Sequence, residues 1–283
     1  RRRHSFPTRR SSDLVCIARD FANTPPSHLT ARQFAEHAVA IAANSNLKAT
    51  VYNRDQLIAM GCGGLVGVNK GSVEPPRMVK LEYKPTGARG KVVLVGKGVM
   101  YDSGGISLKP SDASHASMKM DMSGAAAVLA TMGALGALKV KTQVTAYLMC
   151  TDNMPSGSAL KLGDVITMRN GKTVEIHNTD AEGRLILADG LSLGAESKPD
   201  AMVDIATLTG ACLGALGKKM AGVISNNSAM VSQLMASSGR TDELLWEMPL
   251  FRDYRSMLDS NVADMSKIGG PLAGVTTSSF FLN

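Results

Sequence analysis

The segment Gly124 to Leu138 (GAAAVLATMGALGAL) carries no charge and only one hydroxyl around its whole circumference. A helix with no polar face to give to water has to be central, so the rest of the chain must supply layers around it. The segment is shorter than a membrane span and holds three glycines, so it does not read as a transmembrane helix. Short β-rich runs lie on both sides of it: Ala49–Tyr52, Leu65–Val68, Met78–Tyr83, Val92–Val95, Gln143–Met149 and Ala201–Ile205. Helical segments alternate with them. Thr30 can cap a helix running to about Asn44, with Phe34, Ala38 and Ile41 at helical spacing, and further helices are expected over Leu185–Glu196 and Ala229–Ser238. Residues Arg19 to Leu29, with two prolines, read as a loop. This alternation predicts an α/β layered fold around a largely buried sheet. Scarce aromatics (4%) against 28 glycines and 17 methionines suit that class better than a β-sandwich.

The net charge of +7 invites a nucleic-acid reading, but it is unevenly placed. Residues Arg1 to Val15 hold five arginines and one aspartate, and the remainder carries only +3. Residues 1–14 (RRRHSFPTRRSSDL) show no hydrophobic period and resemble a translated sequencing adapter. They are read as a non-native basic tail and nucleic acid is not expected as a partner. Residues 15–283 are read as one domain, truncated where the chain stops inside the apolar run Phe280–Leu282. Nothing resembles a signal peptide. Cys16, Cys62, Cys150 and Cys212 lack CxxC spacing and read as reduced, buried thiols of a cytoplasmic protein without a membrane partner. The five histidines show no HExxH spacing, so a metal site here would need carboxylates.

Three polar stretches interrupt the apolar pattern. VGKGVMYDSGGISLKP (95–110) follows the run Val92–Val95, which places Lys97 and Asp102 just past a strand's carboxyl end, where ligands bind in open α/β sheets. Its glycine spacing does not fit a P-loop. MKMDMSG (118–124) leads into the apolar helix, and Asp121 reads either as a ligand or as a first-turn carboxylate favoured by the helix dipole. In NTDAEGR (178–184), a spacing of two puts Asp180, Glu182 and Arg184 on one side of an extended segment. Adjacent carboxylates repel without a cation between them. Two divalent cations, Zn, Mn or Mg, would neutralise Asp102, Asp121, Asp180 and Glu182, with the metals roughly 3.5–4 Å apart. Lys97 could ligate only as the neutral amine, far below its ordinary pKa of roughly 10.4.

VGKGxxYDSGGISLKP, MKMDMSGAAAV and NTDAEGRLILADGL closely resemble three motifs of the leucyl aminopeptidase family, and weaker similarity runs from residue 18 to residue 270. The resemblance implies a three-layer α/β/α fold with a central mixed, largely parallel sheet, and hydrolysis of leucine-like amino-terminal residues from peptides. It implies that Lys97, Asp102, Asp121 and Glu182 hold the more exchangeable metal and Asp102, Asp180 and Glu182 the other. Lys109 would polarise the scissile carbonyl and Arg184 would hold a bicarbonate that shuttles the proton. Met118, Asn178, Thr207, Leu208 and Gly210 would line the substrate pocket. Family members are hexamers, so a homo-hexamer is expected of the full-length protein, with an amino-terminal domain that this chain lacks. Against the family pattern, the loop around Ser114–His115 is one residue longer and Ser123 replaces a glycine. An inert or DNA-binding relative is the alternative, but converging carboxylates without metal would have no purpose.

Overall fold

The computed structural model describes residues 6–283, with side chains from Asp13 onward. The first seven strands in chain order are β1 (Lys48–Tyr52), β2 (Arg77–Tyr83), β3 (Lys91–Asp102), β4 (Gln143–Asn153), β5 (Val165–Thr167), β6 (Thr173–Glu175) and β7 (Ala201–Ile205). The central sheet has the order β1-β2-β4-β3-β7. β3 pairs in parallel with both β4 and β7, while β2 runs antiparallel to β1 and β4. Only β2 therefore opposes the common direction, which gives the expected mixed, largely parallel sheet.

Side chains alternate across the sheet and build two cores, one on each face. Along β4, Ala146, Leu148 and Cys150 join Phe34, Leu81, Ala125, Leu129 and Met132 on one side. Tyr147 and Met149 join Leu65, Val93, Val95, Leu185 and Ile186 on the other. Helices Ala31–Ala43 and Ser123–Ala134 cover the first face. Gly63–Asn69 and Glu182–Ala195 cover the second, completing an α/β/α sandwich. The helix at 123–134 is central, as its sequence requires: Ala125, Ala126, Val128, Leu129 and Met132 are fully buried. It ends four residues earlier than expected, at Ala134. Thr30 forms the expected cap, completed by Gln33 as a capping box. No helix among the described residues is long and apolar enough to cross a membrane.

Four expectations fail. Leu65–Val68 lies in a helix, not a strand. A four-residue apolar run does not decide between the two, and the decision comes from 124 residues away, where buried Asp189 accepts from Leu65 N at 2.8 Å. Gly63 and Gly64 also admit the backbones of Thr167 and Leu185 where a Cβ would stand, which packs the helix end tightly. The loop expected over Arg19–Leu29 is helical up to Asn23, because the helix Phe6–Asn23 lays Phe21 against Phe34, ring centroids 5.2 Å apart. The strand at 92–95 continues to Asp102, so Lys97 is inside β3 rather than past its end. Of the cysteines, Cys62 and Cys150 are buried, but Cys16 is exposed and Cys212 half-buried; all four are free thiols.

Candidate metal centre

The continuation of β3 has a local cause. A Cβ on Gly96 would stand 2.6 Å from Ala125 Cα, and one on Gly98 2.8 Å from Met149 O. The two glycines let the central helix and β4 close on β3, so a sequence that reads as a flexible turn is held as strand. Lys97, between them, is buried beneath the centre at 2% exposure. The β3–β4 register then shifts between Val99 and Asp102, and such a bulge re-aims the side chains that follow it. Asp102 ends the strand opposite Asn153. Gly104 and Gly105, both at positive φ, turn the chain back so that Lys109 N donates to Ser103 O at 2.9 Å. That turn brings Lys109 beside Asp102.

The other acids arrive from two helix starts. Asp121 closes the 3-10 turn Met118–Met120 just ahead of the central helix. Asp180 lies in the 3-10 turn Thr179–Ala181 and Glu182 is the first residue of the next helix. The extended-segment argument for residues 178–184 is therefore wrong. Asp180 and Glu182 converge through a turn and a helix start, while Arg184 points elsewhere, donating to Lys267 O at 2.8 Å and Ser278 Oγ at 2.9 Å.

Carboxylate oxygens of Asp102, Asp121 and Glu182 all lie within 4.8 Å of one another, and all three residues are buried. Lys97 Nζ bridges Asp121 Oδ2 at 2.7 Å and Glu182 Oε1 at 2.8 Å. Lys109 Nζ bridges Asp102 Oδ2 at 2.8 Å and Asp180 Oδ1. Burial alone would lower both lysine pKa values. The carboxylates outweigh it, Asp121 and Glu182 at Lys97, Asp102 and Asp180 at Lys109, and hold both ammonium groups above the ordinary lysine range. Burial in turn pushes the Asp121 carboxyl well up, opposed by Lys97, and raises Asp180 as well. Glu182 Oε2 is buried with no hydrogen-bond partner among the described residues. A compact, oxygen-rich, buried set with an uncommitted carboxylate oxygen fits hard divalent cations.

Thr207, expected in the substrate pocket, touches the acidic centre itself. Its carbonyl accepts from Lys97 Nζ at 2.9 Å and its hydroxyl donates to Asp121 Oδ1 at 2.6 Å. Asn178 accepts from Asp180 N at 2.8 Å, fixing the turn that carries Asp180. Leu208 packs on the second core, Met118 opens the 3-10 turn before Asp121, and a Cβ on Gly210 would meet open space. The segment around Ser114–His115 forms the short helix Ala113–Ser117, whose His115 ring stacks on Tyr101. Ser123 donates to Met120 O at 2.6 Å.

Two residues that the sequence did not single out belong to the site. Asn153 donates to Asp102 Oδ1 at 2.8 Å and to Thr179 O at 3.0 Å, tying two acidic segments together. The polar run Thr151-Asp152-Asn153 at the carboxyl end of a parallel strand was a usable signal for it. Lys267 is fully buried and its carbonyl accepts from Arg184, and a lone lysine between Ser266 and Ile268 gave no signal.

Fold and site together define an α/β protein with a buried carboxylate centre suited to divalent metal. The chain belongs to the cytosol aminopeptidase family: the profile described as "Cytosol aminopeptidase family, catalytic domain" matches residues 16–283. A "Probable cytosol aminopeptidase" of Chloroherpeton thalassium is 47% identical over 268 residues, covering 94% of this chain and 52% of the relative. One of Micrococcus luteus is 46% identical over 270 residues, covering 95% and 52%. Among solved structures, "Bottromycin maturation enzyme BotP in complex with Mn" superposes with a TM-score of 0.93 at 39% identity, covering 96% of this chain and 60% of that one. The chain spans about half the length of the curated relatives it matches.

Proposed function

We propose that residues 15–283 are the catalytic part of a cytoplasmic, metal-dependent aminopeptidase that removes leucine-like residues from the amino end of peptides. The observation that carries this reading is the convergence of Asp102, Asp121 and Glu182 within 4.8 Å, flanked by Lys97 and Lys109. Lys97, Asp102, Asp121 and Glu182 would hold one divalent ion and Asp102, Asp180 and Glu182 a second, with Zn or Mn favoured over Mg. The manganese complex of the similar structure supports such an ion. Bound there, the ions would supply Lewis acidity and lower the pKa of water toward neutrality.

The chain's own residues do the rest. Asp121, held by the Thr207 hydroxyl, and Asp102, held by Asn153, present their remaining oxygens in fixed directions. Lys97 would be able to hold the ion only as the neutral amine, its proton released to solvent. Lys109 keeps its charge at Nζ, ready to donate to the oxygen of the scissile carbonyl as negative charge builds there. Arg184 would hold a bicarbonate, which would supply a proton acceptor near the centre. Met118, Asn178, Thr207, Leu208 and Gly210 border the side chain of the departing residue. The full-length protein assembles as a homo-hexamer, and residues 1–14 are foreign to it.

The test is hydrolysis of leucine p-nitroanilide by the complete protein supplied with manganese. The reading requires activity that a chelator abolishes and fresh metal restores. An inactive, fully metal-loaded protein would overturn it.

A further inference from the structure

Lys109 reaches the centre on a segment with little hold of its own. Gly104 and Gly105 open the loop at positive φ, and Ile106 and Leu108 point outward, 44% and 59% exposed. Apolar burial therefore contributes little to fixing residues 104–110. One backbone bond, Lys109 N to Ser103 O, closes the turn.

The buried Thr179, 72 residues on from Ser107, grips this segment at three points. Ser107 N donates to its Oγ1 at 2.8 Å, the same hydroxyl donates to Gly104 O at 2.6 Å, and Thr179 N donates to Ser107 Oγ at 3.0 Å. Its carbonyl is engaged as well, accepting from Asn153 Nδ2 at 3.0 Å. The fit is close: a Cβ on Gly105 would stand 3.0 Å from Thr179 Oγ1. The next residue, Asp180, contacts Lys109 Nζ but has an anchor of its own, since Asp180 N donates to Asn178 Oδ1 at 2.8 Å. Both hydrogen bonds of the Thr179 hydroxyl go to the loop that carries Lys109.

We propose that Thr179 is the positioning residue of Lys109: its clasp with Ser107 and Gly104 sets how far the ammonium reaches toward the scissile carbonyl. The inference rests on the role of Lys109 in the function proposed above. Without the clasp, the two glycines let the loop swing outward. A displacement of about 1 Å at a group that stabilises developing charge costs roughly 100-fold in rate. Substrate affinity and metal uptake use other side chains, so a lost clasp leaves both in place.

The test is steady-state hydrolysis of leucine p-nitroanilide by the complete protein loaded with manganese. Wild type is compared with Thr179→Val, Thr179→Ser, Ser107→Ala and Lys109→Met. Thr179→Val should lower kcat by roughly 30–100-fold with KM within about threefold, and Thr179→Ser, which keeps the hydroxyl, should restore most of the rate. Ser107→Ala, which loses one bond of the clasp, should lower kcat by about 2–10-fold. Adding Thr179→Val to Lys109→Met should slow the enzyme no further than Lys109→Met alone. Manganese content by elemental analysis should match the wild type in Thr179→Val. If Thr179→Val fails to fold, Ser107→Ala carries these comparisons. Effects that multiply in the double variant, or a Thr179→Val protein that has lost manganese, overturn the inference, because the threonine then acts on the metal centre and not through Lys109. Full activity of Thr179→Val overturns it too and leaves the aminopeptidase reading standing. A manganese-loaded wild type without activity overturns both.

Discussion

Asp102 and Asn153 face each other across the parallel pair β3–β4, and Asn153 Nδ2 donates to Asp102 Oδ1 at 2.8 Å. With Gly104 N donating to the same oxygen at 3.0 Å, Oδ1 is fully engaged and Oδ2 is the oxygen aimed at Lys109 and the centre. Asn153→Ala should therefore weaken manganese binding by roughly 10–100-fold, read by calorimetric titration, while the far-ultraviolet circular dichroism stays unchanged. Undiminished affinity would mean that the strand end alone orients Asp102.

Lys97 is the internal counter-ion of Asp121 and Glu182 in the metal-free protein. Replacing it with Met removes one partner of a buried charge cluster and should destabilise that form by about 3–5 kcal/mol in urea unfolding. Excess manganese should return much of the loss, because the cation takes over the same carboxylates. A variant as stable as the wild type without metal would show that Lys97 is not the group that balances these acids.

Most of the framework was legible in the sequence, for physical reasons that also mark where the reading stopped. The central helix announced itself because Gly124–Leu138 has no polar face, and β2, β4 and β7 because apolar residues alternate or run on over a strand's length. The acids of the site were readable because clustered charge in an apolar chain is costly without a purpose. Lys97 was misplaced into a loop because its two glycines look like flexibility. Their role is contact with Ala125 and Met149, partners distant in sequence. Leu65–Val68 was misassigned for the same reason, since the Asp189 carboxylate that fixes the helix lies in another layer. Lys267 was invisible because nothing in its neighbours foretells burial.

Asp189 also sets a pH dependence. Burial raises its pKa from 3.8 to about 6, against the hydrogen bonds from Leu65 N and Arg169 N that favour the charged form. A folded-state pKa above the unfolded one means the native state holds the proton more tightly. Its contribution is thus fully present below the unfolded pKa and is lost as pH rises through about 6. Asp189→Asn resembles the protonated acid, so it should lack the decline of on the order of 2–3 kcal/mol over that window and gain on the wild type above about pH 6. Urea unfolding at a series of pH values reads both effects, and an unchanged slope would assign the titration elsewhere.

Gly96 and Gly210 make a matched pair. Gly96→Ala puts a methyl 2.6 Å from Ala125 Cα and should cost about 1–3 kcal/mol while shifting Lys97 and weakening metal uptake. Gly210→Ala meets nothing within 4 Å among the described residues, so it should keep the wild-type stability. Equal stability losses in the two variants would show that the approach of helix to strand is looser than it stands here.

The number of metal ions held by Asp102, Asp121, Asp180 and Glu182 decides the central claim. Equilibrium dialysis of the chain against manganese, followed by elemental analysis, should find two ions per molecule, falling to one in Asp180→Ala and close to none in Asp102→Ala. A wild type that retains no manganese, or an Asp102→Ala variant that retains as much as the wild type, would contradict it.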